Sequence, residues 1–147
     1  MKRILAHLDD VGASRGSVAA WEALRHAGVV RSASVMVPCP WYPAARDAWQ
    51  SDPGQDLGVH ITLTSEWDRY RWRPMIGQKG GLTDDEGFFH RRPEMVQAQA
   101  DPLAVADEIV AQIERALADG IRPTHLDAHM GTAFCRPFLP ALLDAAA

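Results

Sequence analysis

The sequence has little of what marks several large classes of protein. Its 147 residues include only two cysteines, Cys39 and Cys135, too far apart to suggest a disulfide framework or a thiolate zinc site. No apolar run approaches the roughly 18 residues of a membrane span. The net charge is only −4 and the basic residues are scattered, which gives no general attraction to nucleic acid or an anionic membrane. We therefore expect a reduced, cytoplasmic protein that binds a small molecule or another protein chain, with no nucleic acid and no membrane among its partners.

The remaining composition is that of an ordinary globular domain. Hydrophobic residues make up 47% of the sequence and charged residues 23%, and no repeat of fixed period or low-complexity tract interrupts it. A chain of this length has the size of one domain with its own core. We therefore treat residues 1–147 as a single domain.

Short apolar runs alternate with helical patterns along the chain. The predicted strands are residues 3–8, 32–37, 57–63 and 124–128, and the predicted helices begin near Ser14 or Ser17, Trp41, Asp101 and Pro137. Gly28 and Gly120 are well placed to end the first and third helices. This order predicts an α/β fold with parallel strands joined by right-handed crossovers. Four strands do not close an ordinary (β/α) barrel, which needs about eight, so we expect an incomplete barrel of about four β/α units, cut short at its C-terminus.

A long segment, about residues 66–99, has no clean periodicity. Loops above roughly 12–15 residues in compact domains tend to be functional or disordered. Near its start the segment contains Trp67, Tyr70 and Trp72 interleaved with Arg69, Arg71 and Arg73, a mixture suited to covering a sugar. An insertion that only covers exposed barrel surface explains the same residues equally well.

Three motifs lie where predicted strands end, and in parallel α/β folds the ligand site lies beyond the carboxyl ends of the strands. The candidate residues in them are Asp9, Asp10, His60, Thr62, His125, Asp127 and His129. Two imidazoles and one carboxylate can hold a divalent metal ion and leave positions open for water and substrate. Residues on the same side of a strand are roughly 6–7 Å apart, so we expect only one residue of the fourth strand to bind the ion. Asp127 or His129 would then support the site or contact the substrate, and Thr62 is a further candidate for that role.

The same motifs resemble those of the YdjC-like carbohydrate deacetylases, which include chitooligosaccharide deacetylases. Residues 4–12 (ILAHLDDVG) resemble the family's NADDFG opening, and residues 28–37 are similar to its second-strand segment. Residues 57–64 (LGVHITLT) resemble GLHLTLT, and residues 122–129 (RPTHLDAH) resemble PTHLDSH. The match runs in order over essentially the whole chain.

This resemblance implies a distorted (β/α) barrel of the carbohydrate deacetylase type, one divalent ion (Mg²⁺ or Zn²⁺) and removal of acetyl groups from an N-acetylated sugar. Carried across, Asp10, His60 and His125 would hold the metal and Asp9 would be the catalytic base. The sequence departs from the family in two places. His7-Leu8 replaces the usual Asn-Ala, and Met130-Gly131 follows His129 where many relatives have further histidines.

The leaving amine needs a proton, because an amide anion is too basic to depart unaided. His129 is the candidate acid within this chain, and the alternative source is the C-terminal part of the longer family members. Two other interpretations stay open: a catalytically incomplete half-barrel that binds metal, sugar or a partner, and a fragment of a longer enzyme. Unpaired strand edges would also favour a homodimer.

Overall fold

A computed structural model describes residues 4–147, which contain one open sheet of four parallel strands. The strands are β1 (His7–Val11), β2 (Ser32–Val35), β3 (Asp56–Ile61) and β4 (Leu126–Ala128), in the order β1-β2-β3-β4. The predicted α/β fold with an incomplete parallel sheet is therefore confirmed. The first strand begins later than predicted, and its predicted first residue, Arg3, lies outside the described residues.

Helices connect and follow these strands. They are α1 (Arg15–His26), α2 (Tyr42–Ser51), α3 (Pro93–Gln99), α4 (Pro102–Ala118) and α5 (Leu139–Ala145), and a 3₁₀ segment spans His129–Phe134. Ser14 caps α1 through its side chain and Asp101 caps α4, as the sequence predicts. Helix α3 lies in the long segment, where the sequence pattern predicts no helix. In the part of the chain that the structure describes, no helix is both long enough and apolar enough to cross a membrane.

The two faces of the sheet differ in chemistry because side chains alternate along each strand. One face is apolar and fully buried, and includes Ala33, Val35, Leu57, Val59 and Ile61. The opposite surface, which we call the polar face, carries His7, Asp9, Ser32, Ser34, Asp56, His60, His125 and Asp127. Its side chains pair across strands, as in the 2.8 Å contact between Nδ1 of His7 and Oγ of Ser32. The sheet therefore combines a hydrophobic core on one side with a connected polar surface on the other.

Buried polar side chains of α4 hold the long segment against the sheet. The two carboxylate oxygens of Glu108 accept hydrogen bonds from the backbone N–H groups of Met75 and Ile76, each at 3.1 Å. The Gln112 amide accepts from N–H of Thr62 and donates to its carbonyl, which continues the β3 backbone pairing with a side chain. Glu108 and Gln112 also bond to each other at 2.8 Å. One helix thus fixes both the end of β3 and the segment that follows it.

Replacing Glu108 by alanine should destabilise the fold by about 2–4 kcal/mol, because it leaves several partly buried donors without an acceptor. The free energy of unfolding, measured by urea denaturation, checks this. Glu114→Ala is the control, since Glu114 is exposed on the same helix and should change stability by less than about 0.5 kcal/mol. Equal stability of the two variants would contradict the anchoring role.

Strands β1 and β4 are the two edges of the sheet. Unpaired edges can add a strand from another chain. The homodimer stays a prediction, and light scattering of the purified protein would test it.

Candidate metal centre

The chain leaves β1 through an irregularity that involves the paired aspartates. The register with β2 shifts between Leu8 and Val11, and Asp10 has a φ of 58°, in the left-handed region. Non-glycine residues in this region are uncommon, and they cluster at functional sites. From this position, Oδ1 of Asp10 lies 2.9 Å from Nδ1 of His129 and 3.2 Å from Nε2 of His60. The irregular strand end therefore brings one carboxylate to two histidines from other parts of the sheet.

His129 stands at the point where β4 ends. It is the first residue of the 3₁₀ segment, and Met130 and Gly131 after it have φ values of 51° and 67°. His60 pairs with Asp127 in the parallel register of β3 and β4, so His129 lies two residues further toward the carboxyl edge of the sheet. The rings of His60 and His129 are 5.4 Å apart, edge to face.

Asp10, His60 and His129 fit a divalent metal ion. One carboxylate oxygen and two ring nitrogens lie within 4.8 Å of one another. His60 and His129 are only 4% and 5% exposed, so the donors are held in a protected position. A carboxylate with two imidazoles is a donor set typical of Zn²⁺ and other transition metals, and it leaves coordination positions open.

The outward nitrogen of each imidazole is held by another side chain. Nε2 of His129 lies 3.1 Å from Oε2 of Glu66. Nδ1 of His60 lies 3.1 Å from Oδ2 of Asp127 and 3.2 Å from Oγ of Ser34. Histidines that bind metals usually donate their second N–H to a carboxylate, which fixes the ring and its tautomer. Both histidines of this centre have that support.

The charges of the centre are strongly coupled. Hydrogen bonds from His129 and His60 hold the pKa of Asp10 well below its usual value. Burial alone would lower the pKa of His129, but hydrogen bonds to Asp10 and Glu66 raise it to about 9. Burial alone would raise the pKa of Glu66, but the same contact with His129 lowers it. The carboxylates of Asp10 and Glu66 therefore favour a positive charge beside His129, and a bound metal ion would supply that charge.

The structure does not bring His125 to this donor set. Its ring lies over Gly58, where an added Cβ would be 2.4 Å from Nε2 of His125, and it meets the His7 ring edge to face at 5.1 Å. Four strand residues span on the order of 13 Å, so His125 and His129 cannot both reach Asp10. One residue of this motif, and not two, lies in the candidate donor set. The residue in that position is His129, for which the sequence suggested the role of acid.

Three further polar residues form a second group beside the centre. His7, Asp9 and Asp127 each have a donor atom within 4.8 Å of the others, and Nε2 of His7 is 3.1 Å from Oδ1 of Asp9. The Asp9 side chain is 57% exposed, so water and substrate can reach it. Asp127 connects the group to the metal centre through His60. Asp9 is thus accessible, and it has Asp127 as a neighbour in common with His60 of the donor set.

Thr62 has a structural position. It is fully buried, and its hydroxyl donates a 2.7 Å hydrogen bond to the carbonyl of His60. Gln112 binds both backbone groups of Thr62. The residue therefore supports the strand that carries His60, and its side chain has no access to a substrate.

Glu66 and His7 are the residues that sequence reasoning missed. His7 could have been found, because the alternation of side chains places it on the same face as Asp9. Glu66 begins a segment with no periodicity, and nothing in its neighbourhood marks it as a partner of His129.

Glu66→Ala should weaken metal affinity about 10–100-fold, the usual cost of losing a group that orients a metal-bound histidine. Glu66→Gln should lose less metal affinity than Glu66→Ala, because the amide oxygen can still accept a hydrogen bond from His129. Titration calorimetry with Zn²⁺ measures both, with Glu114→Gln, an exposed residue of α4, as the control. Unchanged affinity in Glu66→Ala would show that the contact does not support the centre.

An open parallel α/β sheet with a carboxylate and two histidines at the carboxyl ends of its strands places the chain among α/β proteins with a candidate metal centre at that edge of the sheet. A model of the YdjC-like protein family matches residues 3–147, and the chain belongs to this family. The resemblance of the four sequence motifs is thereby confirmed.

Curated relatives agree with this assignment, and a solved structure shares the fold. The chain is 38% identical over 136 residues to a carbohydrate deacetylase of Thermus thermophilus, covering 92% of this chain and 46% of the relative. A carbohydrate deacetylase of Vibrio vulnificus is 31% identical over 147 residues, with coverage of 98% and 55%. The chain therefore spans about half the length of the curated relatives it matches. A crystal structure from Enterococcus faecalis, described as a candidate cellobiose-phosphate cleavage protein, has a TM-score of 0.84 at 24% identity. The matched region covers 95% of this chain and 53% of the Enterococcus faecalis chain, and the likeness supports the fold.

Proposed function

We propose that this chain carries the metal site and the base of a hydrolase that removes N-acetyl groups from an amino sugar or chitooligosaccharide. The observation that carries the proposal is the convergence of Asp10, His60 and His129, with Asp127 and Glu66 behind the two imidazoles. Relatives named carbohydrate deacetylases support the choice of an acetylated sugar as substrate.

The donor set favours zinc over magnesium. Magnesium prefers an octahedral shell of oxygen atoms, whereas two of the three donors here are imidazole nitrogens. When bound, the divalent ion would polarise the acetyl carbonyl and lower the pKa of a water molecule toward about 7. Asp10, His60 and His129 would hold the ion, while Glu66 and Asp127 keep the two rings oriented.

Asp9 is the proposed base. Its carboxylate accepts a proton from water as the water oxygen forms a bond to the acetyl carbon. The C–N bond then breaks, the nitrogen takes a proton, and acetate and a free amine leave. In this proposal Asp9 returns the proton it accepted, because Nδ1 of His129 would hold the ion and Nε2 of His129 lies 3.1 Å from Oε2 of Glu66. Nε2 of His7, 3.1 Å from Asp9, is placed to orient that carboxylate.

The test is a deacetylation assay on the purified, zinc-loaded protein with N-acetylated chitooligosaccharides. We expect equal amounts of acetate and free amine, loss of both after chelation, and recovery when Zn²⁺ is restored. The second candidate function, a metal- or sugar-binding half-barrel without turnover, is favoured by the position of His129, whose two ring nitrogens are both engaged in the centre, so that it is not free to act as the acid. Bound zinc and bound sugar without product release would support that function and reject hydrolysis by this chain.

A further inference from the structure

Two arginines near the start of the long segment between β3 and α4 contact other residues of that segment. Arg71 forms a 2.6 Å ion pair with Asp84 and donates a 2.6 Å hydrogen bond to the carbonyl of Phe89. Arg73 lies over the Phe88 ring, 4.2 Å from its centroid. The Arg71 side chain is only 4% exposed, so it does not form a free surface for a ligand, whereas Arg73 is exposed and covers the Phe88 ring.

Two of the three aromatic residues near the start of the segment are also structural. Trp72 is only 2% exposed, and its indole N–H donates a 2.7 Å hydrogen bond to the carbonyl of Thr64. Tyr70 is half-buried against the core. Trp67 differs, because 44% of its surface is open to solvent. A large exposed indole that follows directly after Glu66 has no part in the core.

Trp67 is nevertheless held by the rings behind it. The centroid of the Trp67 ring lies 5.5 Å from that of Tyr70, with an interplanar angle of 33°. It lies 6.0 Å from the centroid of the Trp72 ring, in an edge-to-face arrangement. These are distances at which aromatic pairs attract each other. Trp72 is in turn 6.3 Å from the ring of His129. A continuous set of rings therefore runs from the metal centre to an exposed, supported indole.

We propose that Trp67 is the surface on which a pyranose ring of the acetylated sugar stacks. The axial C–H groups of a β-linked amino sugar form an apolar face, and the electron-rich face of an indole attracts their slight positive charge. Support from Tyr70 and Trp72 means that little side-chain freedom is lost when the sugar binds. The subsite rests on the proposed function for its ligand, since the acetyl group must lie at the metal centre while a ring of the same sugar lies on Trp67.

The experiment compares Trp67→Ala, Trp67→Phe and Trp41→Ala in the zinc-loaded protein. Trp41 is the matched control, a 37% exposed indole at the start of α2 outside the aromatic set that reaches His129. The ligand is the β-1,4-linked dimer of N-acetylglucosamine, followed by titration calorimetry and by the KM for amine release. Metal content is measured for every variant as a check on the centre.

Trp67→Ala should weaken sugar binding and raise KM about tenfold, with kcat and metal content unchanged. Trp67→Phe should recover most of the loss, and Trp41→Ala should behave as the unmodified protein does. Unchanged sugar binding in Trp67→Ala, an equal loss in Trp41→Ala, or no saturable binding by the unmodified protein would overturn the subsite. If the sugar binds in a Trp67-dependent way but no amine is released, the deacetylase proposal fails and the subsite stands. If Trp67→Ala releases amine with an unchanged KM, the subsite proposal fails and the deacetylase proposal stands.

Discussion

Alanine in place of either His60 or His129 should remove most of the bound divalent metal. Each change deletes one of three protein ligands, and losing only a group that orients a ligand already costs about 10–100-fold in affinity. We therefore expect at least about 100-fold weaker binding of Zn²⁺, together with loss of any hydrolysis. Elemental analysis after dialysis and titration calorimetry measure the two effects.

His125→Ala is the decisive comparison, because the family resemblance implies the ligand role for His125 whereas its ring lies against Gly58 and His7. We expect this variant to keep its metal. If His125→Ala loses the ion and His129→Ala retains it, the donor set proposed from the geometry is wrong and the original assignment stands.

The second large effect should separate the paired aspartates. Asp9→Asn should keep its metal but lose about 10²–10⁴-fold in rate, because the amide can no longer accept a proton from water. Asp10→Asn should lose the ion itself, since Oδ1 of Asp10 is the atom that meets both histidines. Amine release and metal content, measured on the same preparations, distinguish these outcomes.

Asp47→Asn serves as the control for this pair, because Asp47 is an exposed aspartate of α2 that pairs with Arg46, away from the metal centre. It should match the unmodified protein in both measurements. An Asp9→Asn variant that loses metal, paired with an Asp10→Asn variant that retains it, would exchange the two roles.

Local signals account for the parts of the fold that the sequence predicts. Ser14 and Asp101 satisfy free N–H groups at helix starts, and these caps depend on neighbouring residues alone. The four strands are recognisable as short apolar runs, but their exact ends are not. β1 shows why: it continues through Asp9 and Asp10 to Val11, although charged residues usually mark the end of a buried strand.

The choice between His125 and His129 depends on non-local geometry. Both share one face of the fourth strand in the sequence pattern, so alternation does not distinguish them. The outcome follows from the register of β4 on β3 and from the left-handed Asp10 at the end of β1. Glu66 is harder still, because its contact with His129 depends on how α4 holds a segment that has no regular pattern.

The packing of His125 over Gly58 restricts what position 58 can become. An added Cβ there would lie 2.4 Å from Nε2 of His125 and 2.6 Å from the backbone carbonyl oxygen of the same residue. A smaller residue at 125 would remove the first clash but not the second. In descendants of this chain, position 58 should therefore stay glycine even where the side chain at position 125 varies.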